Sequence, residues 1–138
     1  MSIGSMPSYS CTTRGITVSV RAVFLEDQSD PERGSWVWAY QVTIANGGTE
    51  TVQLLRRTWR ITDARGRIQI VQGDGVVGEQ PVLEPGETFE YTSGTPLETP
   101  SGIMAGAYHM AVTLTGEAFD AEIPGFSLDS PHTSRQVH

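Results

Sequence analysis

The chain has no lysine, one cysteine and three histidines among its 138 residues. A lone cysteine cannot form an internal disulfide or a thiolate metal site, so the sequence excludes a disulfide-stabilised domain and indicates a reducing, cytoplasmic location. No apolar run approaches the ~20 residues needed to cross a bilayer, and the first residues lack the basic cluster and apolar core of a secretory signal. We therefore expect no membrane anchor and no membrane partner.

Positive charge is also scarce. The formal net charge is −7, and all nine basic residues are arginines. Nucleic-acid binding depends on basic side chains that neutralise phosphates, so we expect no nucleic-acid partner. Five arginines cluster in residues 56–67, and every charged residue from there to residue 98 is acidic. This pattern predicts opposite charges paired across neighbouring strands, with an anion site as the alternative. The arginines are Arg56, Arg57, Arg60, Arg65 and Arg67.

Helical periodicity is absent, whereas apolar and polar residues alternate repeatedly, which is typical of half-buried strands. The clearest example places five large residues on one face: Trp36, Trp38, Tyr40, Val42 and Ile44. About seven such segments, separated by Gly, Pro and Asn, predict an all-β antiparallel sandwich of fibronectin type III or immunoglobulin kind, with a small closed barrel as the alternative. The length predicts one domain, residues 14–129, between a flexible lead (1–13) and a flexible tail (130–138).

The strand expected at residues 52–62 changes phase. Its apolar residues shift from even to odd positions: Val52 and Leu54, then Leu55, Trp59 and Ile61. A β-bulge between Leu54 and Arg57 reconciles the two halves, because one extra residue moves later side chains to the other face. The bulge places Arg57 near the interior, where it needs a carboxylate or carbonyl partner. We predict a structural ion pair there, with an anion contact as the alternative.

A glycine-rich stretch at residues 72–81 has the spacing Gly-x-Gly-x-x-Gly, formed by Gly73, Gly75 and Gly78. In dinucleotide-binding folds this spacing opens a helix, but Pro81 and Pro85 exclude a helix of useful length here. The stretch also contains acids and no base. We therefore predict an architectural loop, in which the glycines allow positive φ and Val76 and Val77 pack on the core, with a backbone-amide anion nest as the alternative.

Two long connections surround a short strand expected at residues 88–91. The first carries the chain from residue 72 to residue 87, and the second spans residues 92–102. Long connections are uncommon in compact domains and often bind partners, so the first is the main candidate surface. Its candidate contacts, with one residue of the short strand, are Val76, Val77, Gln80 and Tyr91.

No catalytic set accompanies these loops. His109 is isolated in the sequence, the other histidines lie near the end, and no Gly-x-Ser-x-Gly motif is present, so we predict no catalytic triad and no enzyme. No spacing typical of a metal site or cofactor is found, although acidic residues at Asp74, Glu79 and Glu98 could provide weak oxygen ligation.

In its order of strands and loops, the sequence resembles the ApaG family of bacterial proteins over about residues 15–128. The stretches that carry the resemblance include Tyr40-Gln41-Val42-Thr43-Ile44, Val52-Gln53-Leu54-Leu55 with Arg57 and Trp59, Val71-Gln72-Gly73-Asp74-Gly75-Val76-Val77-Gly78-Glu79-Gln80-Pro81, Leu83-Glu84-Pro85-Gly86, and Tyr91-Thr92-Ser93-Gly94. The resemblance implies a fibronectin type III-like sandwich, an association with cobalt and magnesium resistance or efflux, and, from eukaryotic relatives, protein interaction. It implies no catalytic residue.

Three functional hypotheses follow. The first is a non-enzymatic cytoplasmic module that binds a protein partner through the two long connections and is indirectly linked to divalent-cation homeostasis. The second is a binder of small anions or nucleotides such as pyrophosphate, using the amides of residues 73–78 with Arg57 or Arg60. The third and weakest is direct binding of Mg²⁺ or Co²⁺ by acidic loops.

Overall fold

Nine β-strands and two 3-10 turns account for most of residues 8–132, the part of the chain that the computed structural model describes. The 3-10 turns are Glu26–Gln28 and Pro31–Arg33. The strands are β1 (Ser8–Thr13), β2 (Ile16–Phe24), β3 (Trp36–Asn46), β4 (Val52–Asp63), β5 (Ile68–Asp74), β6 (Val82–Leu83), β7 (Thr88–Leu97), β8 (Gly102–Val112) and β9 (Ala118–Leu128).

The strands form two antiparallel sheets. One has the order β1-β2-β3-β7, and the other has the order β5-β4-β8-β9, with β6 also pairing with β4. This arrangement confirms the predicted antiparallel sandwich. The short strands β1 and β6 bring the number of strands above the expected seven.

The core lies between the sheets and is filled by alternate residues, as the period of two predicts. Trp38, Tyr40, Val42 and Ile44 of β3 are all buried, and Trp36 at the strand end is half-buried. Burying such side chains contributes about 25 cal/mol per Å² of apolar surface, which is the main stabilising term of the sandwich.

The two sides of the sandwich differ. On one side β1 lies against β9, and Arg14 joins the loops by donating to Glu50 and Glu117 at 2.9–3.4 Å. On the other side the edge strands β5 and β7 face each other across a groove. The sandwich is therefore closed at β1 and β9 and open at β5 and β7.

The predicted flexible ends are wrong where the structure describes them. Residues 8–13 form β1, because its small polar side chains pair across to β2, as in Ser10–Ser19 and Thr12–Thr17, each at 2.8 Å. Ser130 is buried and donates to the Pro100 carbonyl at 2.7 Å. Residues 1–7 and 133–138 lie outside the described residues.

The second predicted long connection is also wrong. Residues 92–97 continue β7, so only residues 98–101 connect it to β8. Pro96 and Gly94 suggested a loop, but β7 is an edge strand, where a proline needs no ladder partner on its free side.

Candidate functional site

The bulge in β4 shapes the candidate site. The register between β4 and β8 shifts between Leu54 and Arg56, as the phase change predicted. Leu55 is the extra residue, and the shift turns Arg57 and Trp59 toward the interior. The bulge therefore places one arginine inside the sandwich, near its open side.

Arg57 binds backbone carbonyls of the glycine-rich stretch. Its Nη1 donates to the Asp74 carbonyl at 3.0 Å and to the Gly75 carbonyl at 2.8 Å. A Cβ at Gly73 would lie 2.9 Å from both terminal nitrogens of Arg57, so a side chain there would force the guanidinium to shift. The predicted ion pair is therefore wrong. Arg57 forms no ion pair among the described residues, and its partners are backbone carbonyls.

The glycine-rich stretch ends in a tight turn, which we call the glycine hairpin (residues 75–79). Val76 and Glu79 exchange both backbone hydrogen bonds at 2.8 Å. The two residues between them have positive φ, 43° at Val77 and 80° at Gly78, as a two-residue type I′ turn requires. No helix follows the glycines, in agreement with the sequence prediction.

The two valines of the glycine hairpin have different environments. Val76 is 1% exposed and packs in the core, whereas Val77 is 56% exposed. The prediction that both valines pack on the core is therefore wrong for Val77, because in so short a turn the two central residues project away from the ladder. Val77 presents a bare apolar side chain at the tip.

Gln80 connects the glycine hairpin to the bulge. The Gln80 Nε2 donates to the Leu55 carbonyl at 2.9 Å, and the Gln80 backbone carbonyl accepts from Gln53 Nε2 at 3.1 Å. The Gly75 amide donates to the same Leu55 carbonyl at 2.8 Å. Gln80 is exposed, but its side-chain amide is hydrogen-bonded to the backbone of β4, so it stabilises the position of the glycine hairpin.

These contacts use most of the donors that an anion nest would need. The amides of Gly75, Val76 and Glu79 all donate to carbonyls within the protein. Arg60 lies on the outer face of β4, as Arg56 does, because both occupy even positions of the strand. Arg57 points to the opposite face, so Arg60 cannot join it at the glycine hairpin. Val77 and Gly78 at the tip carry the hairpin amides for which no protein acceptor is found among the described residues.

Tyr91 lies inside the sandwich and not on its surface. It is 9% exposed, and its hydroxyl shares a 2.5 Å hydrogen bond with the hydroxyl of Tyr108. Burial raises the pKa of both phenols well above the usual range, and the nearby charge of Arg57 lowers these pKa values only in part. Tyr91 therefore belongs to the core, and a partner cannot reach it directly.

The groove between β5 and β7 consists of two adjoining hollows of about 440 and 300 Å³. Both are lined by Ile61, Gln69 and Pro96. Arg57, Trp59 and Val71 line the inner hollow, and Arg67 and Leu97 line the outer one. The groove thus has Arg57 at its inner end and charges of both signs at its outer end, where Arg67 pairs with Asp63 and Glu98 also lines the hollow.

Sequence reasoning missed a hydrogen-bonded relay on the outer face of the second sheet. His109 Nε2 lies 2.7 Å from Thr58 Oγ1, and His109 Nδ1 lies 2.7 Å from Asp120 Oδ1. His109 is therefore not isolated. When the imidazole is neutral, the Asp120 carboxylate fixes the proton on Nδ1, so Thr58 donates to Nε2. Only the pairing of β4, β8 and β9 brings these three residues together, and no local signal predicts it.

The predicted cross-strand charge pairing is largely wrong. Asp74 lies opposite Arg56 in the β4–β5 register but forms no ion pair with it. Of the five clustered arginines, only Arg67 has a carboxylate partner among the described residues, Asp63 at 2.9 Å. Exposed arginines consequently remain on the outer face beside β5.

The described residues contain no group of three or more His, Cys, Asp or Glu side chains placed to hold a metal ion. No helix in the same part of the chain has the length and apolar character needed to span a membrane.

Known proteins resemble this chain over most of its length. The model of the ApaG domain matches residues 26–112. Protein ApaG from Rhodospirillum centenum is 64% identical over 124 residues, covering 90% of this chain and 95% of that protein. Protein ApaG from Paramagnetospirillum magneticum is 64% identical over 130 residues, covering 94% and 99%. A crystal structure of a Bordetella pertussis protein named ApaA is 49% identical with a TM-score of 0.81, covering 84% of this chain and 94% of that one.

Proposed function

This chain belongs to the ApaG family, and from that premise we propose that it is a non-enzymatic β-sandwich module that binds a protein partner. The proposed contact surface is the glycine hairpin together with the neighbouring edge of β5. We further propose that it works in the cytoplasm, in keeping with its single free cysteine.

The observation that carries this proposal is the conformation of Val77. A β-branched residue with positive φ is a steric outlier, and such strain persists only where the surrounding structure enforces it. Here Arg57, Gly75 and Gln80 hold the hairpin in place, and the strained residue exposes an apolar side chain to solvent. A rigid apolar tip of this kind suits contact with another protein, because little freedom is lost on binding.

The relay of Thr58, His109 and Asp120 does not change this proposal. An acyl-transfer site needs amide donors beside its nucleophile to stabilise an oxyanion. Thr58 lies on β4, an inner strand whose backbone groups pair with β5 and β8 on either side. The relay therefore serves to order the outer face of the sheet.

We also propose an indirect link to cobalt and magnesium resistance, which the family resemblance supports. In this role the bound partner, and not this chain, binds or transports the cation.

Photo-crosslinking in cells tests the proposal. A photoreactive residue in place of Val77 should yield a discrete protein adduct after illumination. Leu114, 93% exposed in the loop before β9, provides the matched control, and the same probe there should not yield that adduct. Identical adduct patterns at the two positions, or none at either, would count against a partner at the glycine hairpin.

A further inference from the structure

The edge strands of the two sheets are unequally protected. β1 and β9 cover each other, and β7 carries Pro96 and Glu90. In contrast β5 contains no proline and no basic residue, and its single charge, Asp74, is at its last position. Proteins usually protect edge strands with charges, proline or a covering segment, because free N–H and C=O groups invite pairing with another chain. β5 is therefore the unprotected edge.

On its outer face, β5 exposes two apolar side chains. Ile68 and Ile70 of β5 are 52% and 55% exposed, and neighbouring β-branched side chains stabilise added strands by cross-strand packing. Alternate residues on the other face of β5, Gln69 and Val71, line the groove. A strand placed beside β5 would thus meet Ile68 and Ile70 on the outer face, and Val71 with the polar Gln69 on the groove face.

The charge near this edge favours an acidic occupant. Arg56 and Arg60 project from the outer face of β4, and Arg65 lies in the turn that precedes β5. All three are exposed, and none forms an ion pair among the described residues. In a chain with a net charge of −7, this local excess of positive charge is complementary to an acidic segment.

We propose that β5 accepts an extended, acidic segment of a partner protein as an additional antiparallel or parallel strand. Alternate apolar side chains of that segment enter the groove beside Trp59 and Val71, and its acidic side chains face outward toward Arg60. Backbone hydrogen bonds to β5 provide affinity, and the alternation of apolar and acidic residues provides specificity. The inference deepens the proposed function by naming the class of partner and the strand that receives it.

Two fluorescent peptides of about nine residues, long enough to span β5, provide the test. One alternates Val and Glu, and the other alternates Val and Lys. Fluorescence anisotropy should give saturable binding of the Val/Glu peptide and at least about tenfold weaker binding of the Val/Lys peptide. In amide NMR spectra, the Val/Glu peptide should shift residues 68–74 and slow their hydrogen exchange.

Three variants at exposed positions localise the binding. Ile70→Glu should weaken binding of the Val/Glu peptide at least about tenfold, and Arg60→Glu should reverse the preference toward the Val/Lys peptide. Ile103→Glu is the matched control, because Ile103 is 56% exposed on the same face but lies on β8, two strands from the edge. It should leave binding within about twofold.

Several results would overturn the inference: no saturable binding, equal binding of both peptides, or amide shifts located away from β5. A protein that elutes as a dimer with protected β5 amides before any peptide is added would also overturn it, since a second copy would then occupy the edge. The crosslink at Val77 is independent of these peptides. An adduct at Val77 without peptide binding at β5 would reject this inference and leave standing the proposal that a protein partner binds at the glycine hairpin.

Discussion

At the scale of single residues, the strain at Val77 has a measurable cost. A left-handed conformation costs a non-glycine residue about 1–2 kcal/mol, and asparagine tolerates it much better than valine. We predict that Val77→Asn raises the free energy of unfolding by about 0.5–1 kcal/mol, because relief of strain exceeds the lost contacts of a half-exposed side chain. Denaturant unfolding measures the change.

Val82→Asn is the control for Val77→Asn. Val82 is similarly exposed, 49%, but lies in β6, where valine is favoured. Its replacement should lower the free energy of unfolding or leave it unchanged. Destabilisation by both substitutions would show that Val77 is not strained.

Two glycines of the hairpin form a second matched pair. Gly75 and Gly78 both have positive φ, but a Cβ on Gly75 would collide with the Glu79 carbonyl, whereas a Cβ on Gly78 would meet nothing within 4 Å. We predict that Gly75→Ala costs about 2 kcal/mol more stability than Gly78→Ala, since both substitutions carry the cost of strain and only the first adds a clash. Equal losses in thermal or denaturant unfolding would contradict the close approach at Gly75.

At the scale of the element, the glycine hairpin is an anion site only if its amides are available. Three of them already donate within the protein. We therefore predict that pyrophosphate, the alternative ligand of the sequence analysis, leaves the amide NMR signals of Gly75, Val76 and Glu79 unshifted at moderate salt. Localised, saturable shifts at these three amides would restore the anion-binding hypothesis, and Arg57→Gln would then be the next variant to examine.

At the scale of the whole molecule, the buried tyrosine pair couples stability to alkaline pH. Burial raises the pKa of Tyr91 and Tyr108 above the unfolded value of about 10, so the folded state retains these protons where the unfolded state loses them. The stabilisation from this pair is complete below about pH 10 and is lost as the pH rises further.

We accordingly predict that the ¹³Cζ NMR signals of Tyr91 and Tyr108 keep the shift of neutral phenols until the folded protein itself is lost. Circular dichroism measured on the same samples follows folding. A phenolate shift at either tyrosine in a protein that still has its native spectrum would contradict the burial of the pair.

Much of the sandwich was predictable because its signals are local. Alternation with a period of two identified the core face of β3, and the change of phase in β4 identified the bulge. Predictions were wrong where a residue type that is common in loops occurs in a strand. Serine and threonine at residues 8–13 suggested a loose end but form β1, and Pro96 suggested a loop but lies on an edge strand.

The sequence by itself determined the all-β class, the turn chemistry of the glycines and the inward turn of Arg57, because periodicity and backbone preference act over a few residues. Only the tertiary structure decided which distant strands became neighbours. Thr58 meets His109 across 51 positions, Arg57 meets the carbonyls that follow Gly73, and β5 is left as an open edge beside unpaired arginines. Such contacts depend on strand order and register, which the packing of the whole core selects and no local pattern contains.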